Sequence, residues 1–319
     1  MIRLNGTLTA VAVMAALVAA TGPARAEYPD HNIDMIVPYG PGGGFDVYAR
    51  AVGRMMDKIL PSGVKVIPRT VPGAGGKRGT ATIYRAKPDG YTMGIVNLPG
   101  MAEPLILGEP AQYDLDRITW VGVVNIGVYA IIVGGKSKFN SIEDMRKSPK
   151  QVFFATAGGT DYSTARITAS VLGINAKFLT GYKGGPDAQL AVVRGEADAG
   201  IGPDVTITPR IGSHELKPLL ALQSKASKPM FPGLAVADDV GHPELANLGL
   251  YRLFAAPPGM PEGVRTALIG LVQKALNDPE LAAWGKKSNF PVDPGSAEAA
   301  KKLYTDQKMF LIRYKHLLK

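Results

Sequence analysis

From residue 27 onward, short apolar runs alternate with stretches whose apolar positions recur every three or four residues. That alternation is the pattern of strands and helices taking turns in an α/β protein. Ile33–Tyr39 is predicted as a strand, and a helix should run from about Asp46 to Leu60, its stripe formed by Ala49, Val52, Met55, Met56 and Ile59. Val64–Pro68, Met93–Asn97 and Thr119–Val124 are further strands, with a helix over roughly Gly79–Ala86. The grammar then repeats: strands at Tyr129–Val133, Val152–Thr156, Ala176–Leu179, Ala199–Gly202 and Lys217–Leu222, and helices over about Ser163–Leu172 and up to Arg194. Ser141 and Asp144 have the spacing of a capping box. The Pro-rich passage from Lys228 to Pro243 is expected to be irregular surface. Tyr251–Ala256 is a last strand, Pro261 and Pro279 sit where first-turn prolines are tolerated, and a final helix is expected from Ala297 to Leu318.

The first 26 residues follow a different rule. Arg3 precedes an apolar run, Leu8 to Ala20, that ends in Ala24-Arg25-Ala26. A charged start, a short greasy centre and an A-x-A exit make a cleavable secretory signal peptide, and the run is short of the roughly 20 residues a membrane-spanning helix needs. The mature protein is therefore expected in the periplasm. Its charge would be 34 basic against 27 acidic residues once Arg3 and Arg25 are gone. The basic residues are scattered without an aromatic–basic platform, so nucleic acid is not an expected partner. A mild positive field suits capture of small anions.

The chain has no cysteine, which excludes disulfides, iron–sulfur clusters, thiolate zinc sites and cysteine nucleophiles. The four histidines (His31, His214, His242, His316) lack metal-ligand spacing, and no G-x-S-x-G elbow is present. No metal, cofactor or catalytic residue is expected, and the protein is not read as an enzyme.

What remains is backbone. Three turns share one construction, a strand end, then small residues, then a helix: Tyr39–Asp46, Thr70–Gly79 and Ala157–Thr160. The first N–H groups of a helix are unpaired and carry partial positive charge, and glycine lets a ligand approach them. Such turns hold carboxylate or phosphate without a cationic side chain. Neither Gly40-Pro41-Gly42 nor Gly73-Ala74-Gly75 completes a dinucleotide fingerprint, and Gly75-Gly76-Lys77-Arg78 lacks the rest of a phosphate loop. Asp46, Asp161, Asp187 and Asp204 all fall at strand or helix junctions, as helix caps or as polar contacts to a ligand. Lys77, Arg78 and Lys183 are candidate anion partners, with the amine of Lys183 expected in water.

An ordered series of motifs resembles the receptor proteins of tripartite tricarboxylate transporters, the Bug-type solute-binding proteins. The series runs from Ile36-Val37-Pro38-Tyr39 with Gly42-Gly43-Gly44-Phe45-Asp46 and Ala49-Arg50, through Val71-Pro72-Gly73-Ala74-Gly75-Gly76 with Gly79 and Lys87-Pro88-Asp89-Gly90-Tyr91-Thr92. It continues with Tyr182-Lys183-Gly184-Gly185, Gly195-Glu196-Ala197-Asp198 and Ala255-Ala256-Pro257-Pro258-Gly259-Met260-Pro261. The resemblance implies a type II periplasmic binding protein-like fold. Lobe one would be residues 27–126 plus 223–319, lobe two residues 127–222, joined by crossover strands around a ligand cleft.

It further implies a small organic di- or tricarboxylate as ligand and membrane permease subunits as partners, with the receptor itself a monomer. One carboxylate would meet the Gly43, Ala74 and Gly75 backbone with Tyr39 packing on the carbon chain; Thr156, Gly159 and Thr160 would take the other end, with Asp46 and Asp204 nearby. An acid in the cleft, at Asp161 or Asp204, would instead suit an amino-acid-like or amide ligand. A sensory accessory to a kinase is a further alternative; a periplasmic hydrolase or lyase would need an acid–base pair in the cleft. Three departures bear on ligand identity: Ala157-Gly158-Gly159-Thr160-Asp161-Tyr162-Ser163 is one residue shorter than the family's run and lacks its His-Leu pair, Thr70-Val71-Pro72-Gly73 stands for the usual Asn-Arg-Pro-Gly, and Leu250-Tyr251 replaces a frequent Trp.

Overall fold

The computed structural model describes residues 28–157, 159–227, 229 and 231–318. The expected signal peptide, residues 1–26, and Gly158 of the third glycine turn lie outside the described residues.

Strands and helices alternate as the pattern predicts. β1 (Ile33–Val37), α1 (Gly44–Asp57), β2 (Val66–Thr70), α2 (Lys77–Tyr84), β3 (Thr92–Leu98), α3 (Glu103–Leu107) and β4 (Thr119–Gly127) come first. β5 (Tyr129–Gly134), α4 (Ile142–Arg146), β6 (Val152–Ala155), α5 (Gly159–Val171), β7 (Ala176–Leu179), α6 (Gly185–Val193), β8 (Ala199–Pro203), α7 (Asp204–Gly212) and β9 (Leu216–Ala221) follow. The chain ends with β10 (Leu250–Ala256), α8 (Glu262–Leu276), α9 (Pro279–Ser288) and α10 (Ala297–Arg313).

These elements build two α/β lobes. One sheet has the order β2-β1-β3-β10-β4, the other β7-β6-β8-β5-β9. A single residue, Val128, separates the last strand of the first sheet from β5 of the second. The return crosses from β9 to β10, which runs antiparallel between β3 and β4. Buried apolar contacts continue from one sheet to the other: Val96 and Leu98 belong to the same packed cluster as Tyr129, Ile131 and Phe154. Among the described residues, no helix is long and apolar enough to cross a membrane.

Local sequence explains most boundaries. Ser141 and Asp144 form the expected capping box, each side chain bonded to the other's backbone N–H. The Asp278 side chain caps α9, with Pro279 in the first turn. Three expectations need correction. The first helix stops at Asp57, so Ile59 falls beyond the stripe and is 41% exposed. The Pro-rich passage contains 3-10 turns at Ala237–Val240 and Pro243–Leu248, whose Ala237, Leu245 and Leu248 are buried. The short helix α3 has no counterpart in the sequence reading, because five residues are too few to show a period.

Candidate ligand cleft

In open α/β sheets, ligands gather outside the carboxyl ends of parallel strands. β1, β2 and β3 are parallel, and antiparallel β10 brings its amino end to the same edge, where Arg252 stands opposite Asn97. In the second sheet the carboxyl ends of β6, β7 and β8 meet the amino end of β5, where Tyr129 stands opposite Pro203. The two edges touch. Ser163 at the start of α5 donates its hydroxyl proton to Glu103 of α3 at 2.6 Å. A Cβ placed on Gly100 would lie 2.9 Å from the Thr160 hydroxyl oxygen and 2.8 Å from Asn97 Nδ2.

The first-lobe turns supply backbone. Gly73, Ala74, Gly75 and Gly76 have φ of 140°, 47°, 65° and 101°, four consecutive residues in positive φ. Ala74 accepts this although it carries a Cβ, a conformation uncommon for a non-glycine residue. Gly76 returns its N–H to the Gly73 carbonyl at 3.0 Å, which closes the turn and leaves the Ala74 and Gly75 amides as its candidate anion donors. Ala74 and Gly75 are exposed, and nothing stands within 4 Å of the point a Gly75 Cβ would occupy. Gly43, also exposed, is the N-cap of α1.

The side chains around these turns hold them in place. Tyr39 donates its phenolic proton to the Gly75 carbonyl at 3.2 Å and accepts from Asn97 Nδ2 at 2.7 Å. Its ring packs on Phe45 with centroids 4.6 Å apart, and burial pushes its hydroxyl up to about 12. Asp46 is engaged inside its own turn, accepting from the Gly42 N–H at 2.9 Å and from Arg50 Nε at 2.9 Å. Burial alone would raise its pKa, yet these two bonds hold the carboxyl below the usual range. Asp46 thus shapes the loop that carries Gly43 rather than facing a ligand. Lys77 pairs with Glu109 at 2.5 Å, and Arg78 and Lys183 are exposed.

The second lobe presents a different surface. Gly159 opens α5 with φ of 52° and open space beyond it, and Thr160 faces Gly100. Thr156 is turned inward: wholly buried, it gives its N–H and its hydroxyl to the Leu179 carbonyl, at 3.0 and 3.5 Å. Its hydroxyl pins β6 to β7 and does not reach the cleft, contrary to the expectation. Asp161 accepts the Tyr129 hydroxyl proton at 2.9 Å; burial pushes its carboxyl up to about 6, against that bond. Asp204 is 1% exposed; its Oδ1 accepts the Val205 N–H at 2.8 Å and its Oδ2 has no partner among the described residues. Burial pushes it too up to about 6, opposed by the Val205 N–H and by Arg252. Asp187 is exposed in the first turn of α6.

Residues the sequence reading passed over complete the edge. The Arg252 guanidinium is 3% exposed, lies 5.1 and 5.2 Å from the Phe45 and Tyr48 rings, and donates to Asn125 Oδ1. Burial draws its pKa down while nearby Tyr48 and Asp204 draw it up, and arginine stays charged throughout. Asn97, Tyr129 and the Glu103–Ser163 pair join it. A lone charge inside the apolar run Leu250–Ala256 was the available signal for Arg252, since a buried charge demands partners. The others become neighbours only through packing of the two sheets.

A separate cavity of about 680 Å³ opens at the far edge of the second sheet, lined by Lys136, Lys138, Arg194, Asp198, His214 and Glu215. It mixes both signs of charge and lies away from the lobe junction. Among the described residues, no three His, Asp or Glu side chains cluster as metal ligands.

Residues 48–317 match the family described as Tripartite tricarboxylate transporter family receptor. A UPF0065 protein of Bordetella bronchiseptica is 29% identical over 286 residues, covering 87% of this chain and 82% of the relative. The structure of the periplasmic binding protein BugD superposes with a TM-score of 0.72 at 25% identity, over 91% of this chain and 98% of BugD. MatC of Rhodopseudomonas palustris, solved with bound malate, superposes with a TM-score of 0.72 at 20% identity, over 92% and 100% of the two chains. The fold is that of periplasmic binding proteins, and the chain belongs to the tripartite tricarboxylate transporter receptor family, whose members are solute-binding receptors and not enzymes.

Proposed function

We propose that this protein, exported to the periplasm by cleavage after residue 26, captures a small organic carboxylate between its lobes and delivers it to the membrane subunits of a tripartite transporter. The lobes divide as residues 27–126 plus 223–319 and residues 127–222, with the β4–β5 and β9–β10 passages as crossovers. The run of positive φ from Gly73 to Gly76, at the carboxyl end of β2, carries this reading. One carboxylate docks on the Ala74 and Gly75 amides with Gly43 beside them, the Tyr39 ring lies along the carbon chain, and the Gly159 amide and Thr160 hydroxyl close the far end. Hydrogen bonds from fixed amides to an anion are about twice as strong as neutral ones, so a few orient a ligand without a salt bridge. Asp46 and Thr156 support these contacts from behind. That a protein of the same fold holds malate is in keeping with this chemistry.

A thermal-shift screen of C4 to C8 diacids, citrate, aromatic acids and amino acids tests the reading. Binding to the folded state alone raises the melting temperature with ligand concentration above the dissociation constant. A flat response across the whole set would overturn it.

A further inference from the structure

Two opposite charges face each other at the crossover between the sheets without pairing. Arg252 lies on β10 of the first sheet, and Asp204 directly follows β8 of the second; both are buried. Arg252 Nη1 donates to Asn125 Oδ1, and Arg252 Nε has no partner among the described residues. Asp204 Oδ1 accepts the Val205 N–H at 2.8 Å, and its Oδ2 has no partner among them either. What lies between the two groups is a missing side chain. A Cβ on Gly127 would stand 3.2 Å from Arg252 Nη1 and 3.4 Å from Asp204 Oδ1. Each charge thus reaches the same point and leaves a polar atom bare, which burial makes unfavourable.

The two groups belong to different rigid parts. Asp204 moves with the second sheet, its N–H bonded at 2.8 Å to the carbonyl of Val128, the residue that links β4 to β5. Arg252 is fixed to the first sheet, opposite Asn97 of β3 and Asn125 of β4. Asn125 in turn donates to the Pro291 carbonyl at 3.0 Å and to Asp293 Oδ2 at 3.1 Å, and the same Asp293 oxygen accepts the Ile126 N–H at 3.1 Å. The first sheet is therefore clamped up to residue 126, and turning the second sheet about Val128 changes the separation of Asp204 from Arg252. In the present setting the lobes touch, through Ser163 on Glu103 and Thr160 beside Gly100, and the charges stand apart.

We infer that Arg252 and Asp204 form a hinge latch: they pair directly when the lobes swing apart, hold the empty receptor open, and separate as the lobes meet, with Gly127 bare so that the two can touch. The inference rests on the capture between lobes proposed above and adds what sets the resting angle. Closure runs against the latch, and a ligand drives it only by its preference for the closed state.

The chain has no cysteine, so two spin labels can be attached at chosen positions alone. Gly40→Cys, where nothing stands within 4 Å of the added Cβ, and Lys183→Cys, exposed beyond the carboxyl end of β7, put one label on each lip of the cleft. Pulsed electron paramagnetic resonance on the ligand-free protein then reads the distance between the lips with no further change, with Asp204→Asn, with Gly127→Ala and with Asp187→Asn. Asp187, an exposed acid, is the control. The expected parent distribution is dominated by a distance longer than in this structure. The shorter-distance fraction should rise at least threefold in Asp204→Asn, which removes one charge, and in Gly127→Ala, which sets a methyl group between the two, while Asp187→Asn changes nothing. Gly127 is the last residue of a strand and Gly127→Ala keeps both charges, so it decides the matter if melting curves show that Asp204→Asn does not fold. Any other pattern among the folded variants overturns the latch. Because no ligand is present, that failure leaves the carboxylate reading standing, to be judged by the thermal-shift screen.

Discussion

The two ends of the cleft are chemical opposites. At the first-lobe end the polar groups are backbone amides, exposed at Ala74 and Gly75, with the neighbouring charges already committed: Asp46 to Arg50, Lys77 to Glu109. At the second-lobe end the Gly159 amide and the Thr160 hydroxyl stand next in sequence to Asp161, and behind them the buried Asp204 Oδ2 and Gln189 Oε1 have no partner among the described residues. One end is therefore exposed backbone, the other a set of interior side chains whose hydrogen bonding is incomplete.

Arg252 is the buried cation between the two ends, and removing it should have the largest effect. A Cβ on Gly127 would lie 3.2 Å from Arg252 NH1 and 3.4 Å from Asp204 Oδ1, which brings both groups to one spot on the crossover. Losing one member of a buried charge arrangement leaves the other uncompensated, at a cost of about 3–5 kcal/mol. Arg252→Met should lower stability by about 4 kcal/mol in urea titration, and Arg252→Met with Asp204→Asn should recover a good part of it. If the double variant is no more stable than the single, the two charges are not coupled.

Breaking the donor end comes next. Gly75 sits at φ 65° with open space where a Cβ would point. A side chain there costs about 1–2 kcal/mol in backbone strain and projects into the space from which a ligand approaches. Gly75→Val is expected to weaken binding about 100-fold, near 2.7 kcal/mol, while the protein still folds. Unchanged affinity would move the carboxylate away from the turn.

How far the sequence revealed this contrast follows from what is local. The strand–glycine turn–helix rhythm is written within fifteen or so neighbouring residues, so both lobes, the Ser141–Asp144 box and the turn at Gly73–Gly76 were legible. Asp161 and Asp204 were flagged as acids at junctions for the same reason. Thr156 was misread because a hydroxyl beside a glycine turn looks available until its strand is paired; only β7, twenty residues on, supplies the Leu179 carbonyl that claims it. Asn97, Tyr129 and the Glu103–Ser163 bond join residues 32 to 60 apart along the chain, which no local pattern encodes.

The acceptor end also carries a pH signature. Burial pushes Asp204 from its ordinary 3.8 up to about 6. Below pH 4 it is protonated in both folded and unfolded chains and contributes nothing. Between pH 4 and 6 the unfolded chain ionises while the folded one holds its proton, so stability falls as pH rises, and above 6 the full penalty persists. Asp161 behaves alike; it is faced by Tyr129 from β5 and Gln189 from α6, with Lys183 and Asp187 exposed on either side of Gly185. Asp204→Asn should flatten this dependence, its stability relative to the wild type being higher at pH 7.5 than at pH 4, with the loss of Arg252's partner subtracting from the gain at the higher pH, read from melting curves at the two values. A gain that is equal at both would mean that the ionised carboxylate is already satisfied.

The smallest expected effect is at the direct bond between the lobes. Glu103 and Ser163 meet at 2.6 Å, and burial raises the Glu103 pKa against the Ser163 bond. Ser163→Ala removes one hydrogen bond to a charged group, worth about 1.5–3 kcal/mol, and leaves the Glu103 carboxylate with less reason to stay ionised. Because this bond spans the cleft, the loss should fall on lobe association more than on either lobe's core. Ligand affinity should then drop several-fold while the urea midpoint of unfolding moves little. The opposite pattern, a lowered midpoint with affinity intact, would place the Glu103–Ser163 bond among the contacts that hold the fold and outside those that close on the ligand. The donor and acceptor ends would then have to be brought together by the Thr160–Gly100 approach alone.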